Sequence, residues 1–269
     1  MFFKRPLFYV FSITFYFNMK KIISWLFTPL FLIVFGLLLL IFHPLMWISH
    51  RLFGLKALEN VTSQLQILLL NMFVLTFSWF KVTNPYKKML KDTKRPLIIV
   101  GNHQSMFDIP LILWYFRKKS PKFVAKKEVG KGIPSISYFL HNGKHMIIDR
   151  KDKDQALTAI ERGIPAIIEN NWSAAIFPEG TRSKDGKGKP FKTAGLTKLL
   201  EMMPNALVVP VAIGNTWLLG KDNYLPVPFN VKYGFEVLTP IEPANFTPEN
   251  LIIFLEKEIK AVVDKMQAK

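Results

Sequence analysis

The chain has no cysteine among its 269 residues, which excludes disulfide bonds, thiolate nucleophiles and thiolate-bound metals. It has only five histidines, and no two of them have convincing metal-ligand spacing, so we predict no metal site. Internal repeats and low-complexity segments are absent as well. The missing cysteines suit a reducing compartment.

Acidic residues are scarce. The chain has 36 Lys and Arg against 19 Asp and Glu, a formal net charge of +17, and residues 1–83 contain only one acidic residue. A basic excess of this size suits either nucleic acid or an anionic membrane surface. Because the N-terminal part is strongly apolar, we expect the membrane surface as partner and no nucleic acid.

Charge is missing altogether from two N-terminal runs. Residues 22–42 are 21 uncharged residues, enough for a helix that crosses the hydrocarbon core and too many for a signal peptide. Residues 60–80 are also uncharged, and a polar stripe at helical spacing runs through them: Asn60, Gln64, Asn71 and Ser78. We predict a helical hairpin embedded mainly in one leaflet, with two membrane-spanning helices as the alternative.

Basic residues flank all of these segments, so they do not fix an orientation in the membrane. We expect a membrane protein whose α/β domain lies on the cytoplasmic face. Met19-Lys20-Lys21 repeats the basic-then-apolar pattern that opens the chain. We therefore interpret residues 1–18 as an upstream extension and Met19 as the true start.

Asn84-Pro85 marks the boundary between two regions. We assign residues 1–83 to a helical membrane-anchoring segment and residues 84–269 to an α/β domain. The predicted strands are 96–100, 122–125, 145–149, 174–177, 207–213 and 231–238. The predicted helices are 109–116, 134–140, 154–162 and 247–266. Gly163 should end the third helix, and Pro165 could open another. This alternation predicts a mixed, largely parallel sheet covered by helices on both faces.

The stretch Asn102-His103-Gln104-Ser105-Met106-Phe107-Asp108 follows the first of these strands. His103 thus lies at the carboxyl end of a strand, where open α/β sheets bind ligands. If the turn folds His103 against Asp108, the carboxylate fixes one ring nitrogen and leaves the other as a base. The alternative is structural: Ser105-x-x-Asp108 is also a capping box, in which Asp108 only satisfies a helix N-terminus.

A second stretch, Phe177-Pro178-Glu179-Gly180-Thr181-Arg182-Ser183, follows another predicted strand. Gly180 permits a backbone with positive φ, and Arg182 is presented beside hydroxyl groups. A guanidinium fork with neighbouring hydroxyls is a good binder of a phosphate monoester. Together, the base and the phosphate fork indicate a substrate that carries both a hydroxyl group and a phosphate.

Asn-His-x4-Asp followed by Phe-Pro-Glu-Gly-Thr-Arg-Ser resembles the glycerolipid acyltransferase family, most closely its 1-acylglycerol-3-phosphate acyltransferases. Two weaker blocks match in order: Lys126-Lys127-Glu128 with Ile147-Ile148-Asp149-Arg150, and Val208 to Ile213. The resemblance covers about residues 84 to 240. It implies acyl transfer from acyl-carrier protein or acyl-CoA to the sn-2 hydroxyl of 1-acylglycerol 3-phosphate, giving phosphatidic acid, with no cofactor beyond that co-substrate.

The resemblance also implies roles for single residues. It assigns the general base to His103, oriented by Asp108. It also implies that Lys126 or Lys127 helps Arg182 to bind the phosphate, and we favour Lys127 because it adjoins Glu128. The remaining predicted members of the phosphate site are Glu179, Gly180 and Thr181. We expect Glu179 to hold the loop and the arginine rather than to act as a second acid or base.

Several interpretations stay open. No nucleophile-elbow pattern surrounds Ser105, so we predict direct attack by the acceptor without a covalent intermediate. Arg150 resembles a family arginine but could serve structure. The basic loop 184–192 could meet a head group, the acidic carrier protein or solvent. The acceptor could be glycerol 3-phosphate or another lysolipid, and the chain could instead be a non-catalytic basic membrane-binding protein.

Overall fold

The computed structural model describes the backbone of residues 5–129, 131–149 and 151–267, and the side chains from Met19 onward within these ranges. Arg150, for which the sequence suggested a role, lies outside the described residues. So do the side chains of residues 1–18, the segment that we interpret as an upstream extension.

A seven-stranded sheet forms the centre of the fold. Its strands are β1 (Trp79–Thr83), β2 (Leu97–Gly101), β3 (Pro121–Lys126), β4 (Met146–Ile148), β5 (Ser173–Ile176), β6 (Leu207–Gly214) and β7 (Lys232–Val237). They lie in the order β1-β7-β6-β2-β5-β3-β4. Neighbouring strands are parallel except for β6 and β7, which are antiparallel. The predicted mixed, largely parallel sheet is confirmed.

Helices connect and cover the strands. They are α1 (Arg5–Asn71), α2 (Lys87–Asp92), α3 (Asp108–Tyr115), α4 (Ile136–Asn142), α5 (Lys153–Glu169), α6 (Thr193–Met202), α7 (Trp217–Gly220) and α8 (Pro248–Gln267). Short 3-10 turns cover Met72–Thr76, Arg117–Lys119 and Pro243–Asn245.

The central strand β2 shows why helices cover both faces of the sheet. Side chains alternate between the two faces of a strand. Leu97 and Ile99 accordingly pack in one core with α1, α3 and α4, and Ile98 and Val100 in another with α5, α6 and α8. All four side chains are fully buried, and each such burial contributes about 1.5–3 kcal/mol. The two-sided cover that the sequence predicts is confirmed.

The long N-terminal helix α1 folds back on itself. Gly54 leaves the helical conformation with φ 73° and divides α1 into two arms. The arms run antiparallel, since Phe27 contacts Phe77 and Phe31 contacts Phe73, with ring centroids 5.7 Å and 5.2 Å apart. The stretch Met19–Thr76 is long and apolar enough to cross a membrane by length and composition. Its fold is the predicted helical hairpin.

The hairpin ends earlier than predicted. Its second arm stops at Asn71 rather than at residue 80, and Phe77 takes a left-handed backbone with φ 55° that ends the following 3-10 turn. Ser78 is therefore not part of a helical stripe; its hydroxyl accepts a hydrogen bond from the Val231 backbone at 3.0 Å. The next residues form β1, which pairs with β7. Five residues that we assigned to the 1–83 segment thus belong to the sheet.

Two smaller expectations are corrected. Helix α5 does not stop at Gly163 but runs through it and through Pro165. A Cβ on Gly163 would lie 2.5 Å from the Met146 side chain, so this glycine allows close packing on β4. The turn signal Asn142-Gly143 predicts that the neighbouring His145 lies on the surface, but His145 is partly enclosed. Its Nδ1 accepts a hydrogen bond from the Phe123 backbone at 3.0 Å. Burial lowers the His145 pKa to about 3.

Candidate active site

His103 and Asp108 lie together in the turn between β2 and α3. The His103 Nδ1 and the Asp108 Oδ2 are 2.9 Å apart. The same oxygen accepts hydrogen bonds from the backbone of Gln104 at 2.7 Å and of Ser105 at 2.8 Å. Asp108 is completely buried, whereas His103 is partly exposed. Asp108 therefore serves both predicted purposes, since it satisfies the backbone before α3 and orients the imidazole.

The carboxylate has a further partner that the sequence did not reveal. Thr216 is fully buried and donates to Asp108 Oδ1 at 2.7 Å. It follows β6, the strand beside β2. Residues after adjacent parallel strands meet at the same edge of the sheet, so its position after a predicted strand was the available signal. With Thr216 in place, both carboxylate oxygens are fixed, and His103 Nε2 remains the nitrogen available as a base.

The two predicted motifs lie against each other because β2 and β5 are adjacent and parallel. The His103 ring stacks on Phe177, with centroids 4.3 Å apart and an interplanar angle of 8°. The His103 backbone N–H donates to Glu179 Oε1 at 3.3 Å, and its carbonyl accepts from the Ser183 backbone at 2.7 Å. The second motif thus contacts the face of the His103 ring and both the N–H and the carbonyl group of its backbone.

Glu179 is a buried acid beside this dyad. Glu179 is only 3% exposed. Burial raises its pKa to about 7, although hydrogen bonds from the backbones of His103 and Lys189 act to lower the pKa. Its Oε2 has no hydrogen-bond partner among the described residues. Glu179 therefore contacts the histidine turn, and among the described residues the Arg182 guanidinium bonds to Tyr224 rather than to Glu179.

Arg182 and Thr181 lie exposed on the loop that follows β5. Arg182 Nη1 donates to the Tyr224 hydroxyl. The Lys189 ammonium donates to Thr181 Oγ1 at 3.0 Å and to the Arg182 carbonyl at 2.8 Å. Gly180 has φ 71°, which explains the glycine at this turn. The loop therefore presents two cations and a hydroxyl group, a suitable set for a phosphate.

Lys127 does not join this cluster. Its ammonium pairs with Asp149, and that carboxylate raises the Lys127 pKa. The neighbouring Lys126 instead lines the cavity in front of the dyad, where it also pairs with Glu128 at 3.5 Å. Side chains alternate along an extended chain, so the two lysines point to different surroundings. Our sequence-based choice of Lys127 is therefore not supported, because its pairing with Asp149 is a contact between distant segments.

A cavity of about 640 Å³ opens at the dyad. His103, Thr181, Arg182 and Tyr224 line it on the polar side. Both arms of the hairpin supply apolar lining: Phe35, Met46, Leu65 and Leu69. A ligand bound in this cavity would contact His103, Arg182 and these apolar side chains together. No group of three potential metal ligands occurs within the described part of the chain.

The fold and the site can now be compared with those of known protein families. Residues 81–214 match the family model described as acyltransferase, and through this domain the chain belongs to the acyltransferase family. The sequence-based recognition of the family is confirmed.

The chain is similar in sequence to curated proteins named 1-acyl-sn-glycerol-3-phosphate acyltransferase. The one from Cocos nucifera is 31% identical over 172 residues, 63% of this chain and 53% of the relative. The one from Saccharomyces cerevisiae is 28% identical over 184 residues, 65% and 56% of the two chains. The chain thus spans about half the length of the curated relatives it matches. The crystal structure of the 1-acyl-sn-glycerophosphate (LPA) acyltransferase PlsC from Thermotoga maritima aligns with a TM-score of 0.74 at 25% identity, covering 93% of this chain and 98% of that one.

Proposed function

We propose that the protein transfers an acyl group to the free sn-2 hydroxyl of 1-acylglycerol 3-phosphate and so makes phosphatidic acid. The observation that carries this proposal is a single cavity whose wall contains His103, Arg182 and apolar side chains from both arms of the hairpin. The names of the relatives point to the same acceptor. The donor is the thioester of acyl-carrier protein or CoA.

In the proposed mechanism, His103 Nε2 removes the proton from the acceptor hydroxyl. The acceptor oxygen then attacks the thioester carbonyl carbon, the C–S bond breaks, and the thiolate leaves with the proton that His103 returns. Asp108 stabilises the charged ring and keeps its orientation. Ser105 is not a nucleophile here, because its hydroxyl is buried and accepts from the Phe107 backbone at 3.3 Å.

The acceptor phosphate binds to the exposed loop after β5. Arg182 supplies the planar fork, Lys189 a second cation and Thr181 a hydroxyl group. We assign the additional support to Lys126 rather than to Lys127, since Lys126 lines the cavity and Lys127 is engaged with Asp149.

We also propose that the hairpin inserts into one leaflet and holds the cavity at the level of its lipid substrates. Large apolar side chains cover its outer surface; examples are Leu26 (73% exposed) and Phe53 (72% exposed). In water such a surface would be unfavourable, but in the acyl region it is not. The α/β domain then lies on the cytoplasmic face, in contact with anionic head groups through its basic surface.

A panel of acceptors tests the proposal. Purified enzyme receives one long-chain acyl thioester and, separately, 1-acylglycerol 3-phosphate, glycerol 3-phosphate, monoacylglycerol and lysophosphatidylcholine. We expect a strong preference for the first. A preference for glycerol 3-phosphate would move the protein to the first acylation step with the same chemistry. Binding to anionic vesicles without any transfer would instead identify a non-catalytic membrane-binding protein.

A further inference from the structure

The apolar cavity has a polar patch in its wall. Among the described residues that line it, two polar side chains are buried, Gln66 from the second arm of the hairpin and Ser135 before α4. The Ser135 hydroxyl donates to the Leu39 carbonyl at 2.6 Å and is therefore satisfied. The Gln66 Oε1 has no hydrogen-bond partner among the described residues. Gln66 thus offers an acceptor beside a channel that we propose for an acyl chain.

A second, smaller cavity lies behind Gln66. It has about 30 Å³ and shares Gln66, Leu113 and Phe139 with the larger one. A space of this size holds one water-sized group. Its other side chains are mostly polar and come from both domains: Glu59, Thr62, Ser63, Arg117, Ser120 and Lys122.

The ion pair in this small cavity already has its partners. The Lys122 ammonium donates to Glu59 Oε1 at 2.6 Å and to the Gly143 carbonyl at 2.9 Å. Ser120 Oγ donates to Glu59 Oε2 at 3.1 Å. The charged groups therefore do not need a ligand, and they fix the second arm of the hairpin to β3.

Three neutral groups remain without partners in the described fold: Thr62 Oγ1, Ser63 Oγ and Gln66 Oε1. Thr62 is 2% exposed and Gln66 7%, and buried polar groups in folded proteins are nearly always hydrogen-bonded. The first arm of the hairpin provides the contrast. There the buried Ser24 and Thr28 hydroxyls accept from the Phe229 and Val227 backbones at 3.1 Å and 2.9 Å.

We propose that Gln66, Thr62 and Ser63 bind a hydroxyl group near the far end of a hydroxylated acyl chain. A hydroxyl group can donate to Gln66 Oε1 and accept from a threonine or serine hydroxyl at once. A carbonyl group cannot donate, and an unsubstituted chain would leave all three groups unpaired. This site depends on the proposed function, because Gln66 lines the larger cavity that we propose to hold an acyl chain, while Thr62 and Ser63 line the smaller cavity behind it.

Equilibrium binding tests the site without using the reaction. Full-length enzyme in detergent binds a fluorescent fatty acid, which is displaced by ω-hydroxy fatty acids of lauric to stearic length and by their unsubstituted parents. For each length, the ratio of the two affinities is the measured quantity. At the best-fitting length, Gln66→Leu should lower the preference for the hydroxylated chain about 3- to 10-fold, which corresponds to one hydrogen bond. Thr62→Val should act in the same direction.

Gln64→Leu is the matched control, because Gln64 lies two residues away on the same arm but is exposed. It should leave the ratio unchanged. A ratio that neither Gln66→Leu nor Thr62→Val alters at any length would overturn the site, as would an equal loss in Gln64→Leu. Transfer activity is measured in parallel. If the wild type transfers to no acceptor, yet Gln66→Leu still lowers the preference for the hydroxylated chain, the site is upheld and the proposed function is refuted.

Discussion

His103 and Arg182 follow adjacent strands of one sheet, yet the structure holds them in different ways. Every polar contact of the His103–Asp108 turn is to a buried group or to the backbone. Arg182 is exposed, and its guanidinium contacts the Tyr224 hydroxyl. The proposed base is thus fixed before substrate binds, whereas the proposed phosphate site lies on a loop. We therefore expect substitutions in the turn to affect all acceptors alike, and substitutions in the loop to affect mainly those with a phosphate.

The largest effect is expected for His103→Ala. Removal of a general base typically lowers the rate about 10²- to 10⁴-fold, and Asp108→Asn should also be severely impaired because the ring loses its fixed tautomer. Initial rates with saturating donor measure this, with circular dichroism as the control for folding. Near wild-type turnover by folded His103→Ala protein would refute the proposed base.

Thr216→Val should have a smaller effect on the same step. The substitution removes the hydrogen bond to Asp108 Oδ1, and a hydrogen bond to a charged group contributes about 1.5–3 kcal/mol, so kcat should fall about 10- to 100-fold. Thr216→Ser retains the hydroxyl and should restore most of the rate. If Ser fails to restore it, the threonine acts through packing rather than through the carboxylate.

Glu179→Gln should change the pH dependence of stability. The folded protein binds this proton more tightly than the unfolded chain does, since burial raises the Glu179 pKa from 4.5 to about 7. The associated stability is present below pH 4.5 and is lost as the pH rises to about 7. The thermal midpoint of the wild type should therefore fall across this interval relative to that of Glu179→Gln. Parallel curves for the two proteins would contradict the raised pKa.

Deleting residues 1–18 should have the smallest effect. If Met19 is the true start, the shortened protein keeps its membrane attachment and its activity close to those of the full chain. Flotation with vesicles and initial rates measure the two properties. Loss of membrane attachment after this deletion would show that the first 18 residues are part of the anchor.

The sequence predicted those features that depend on local pattern. The alternation of strand and helix patterns predicted the sheet and the helices on both of its faces. The positions of His103 and Arg182 after predicted strands indicated that the two motifs lie near the ends of strands. Contacts between distant segments were not predictable. Thr216 has no local motif, and the roles of Lys126 and Lys127 depend on where Asp149 lies. Residues 79–83 form a strand because β7 is there to pair with them, which a single apolar run cannot reveal.

The most direct test of separate roles for the His103–Asp108 turn and the Arg182 loop uses one variant from each and two acceptors. Values of kcat/KM are measured for 1-acylglycerol 3-phosphate and for monoacylglycerol with wild type, His103→Ala and Arg182→Ala. We expect His103→Ala to lower both values by the same factor. Arg182→Ala should lower chiefly the kcat/KM for the phosphate-bearing acceptor, by about 1.5–3 kcal/mol for lost hydrogen bonds to a charged group, and so narrow the difference between the two acceptors. An acceptor gap that Arg182→Ala leaves untouched, or that His103→Ala closes, would contradict the separation of base and phosphate site.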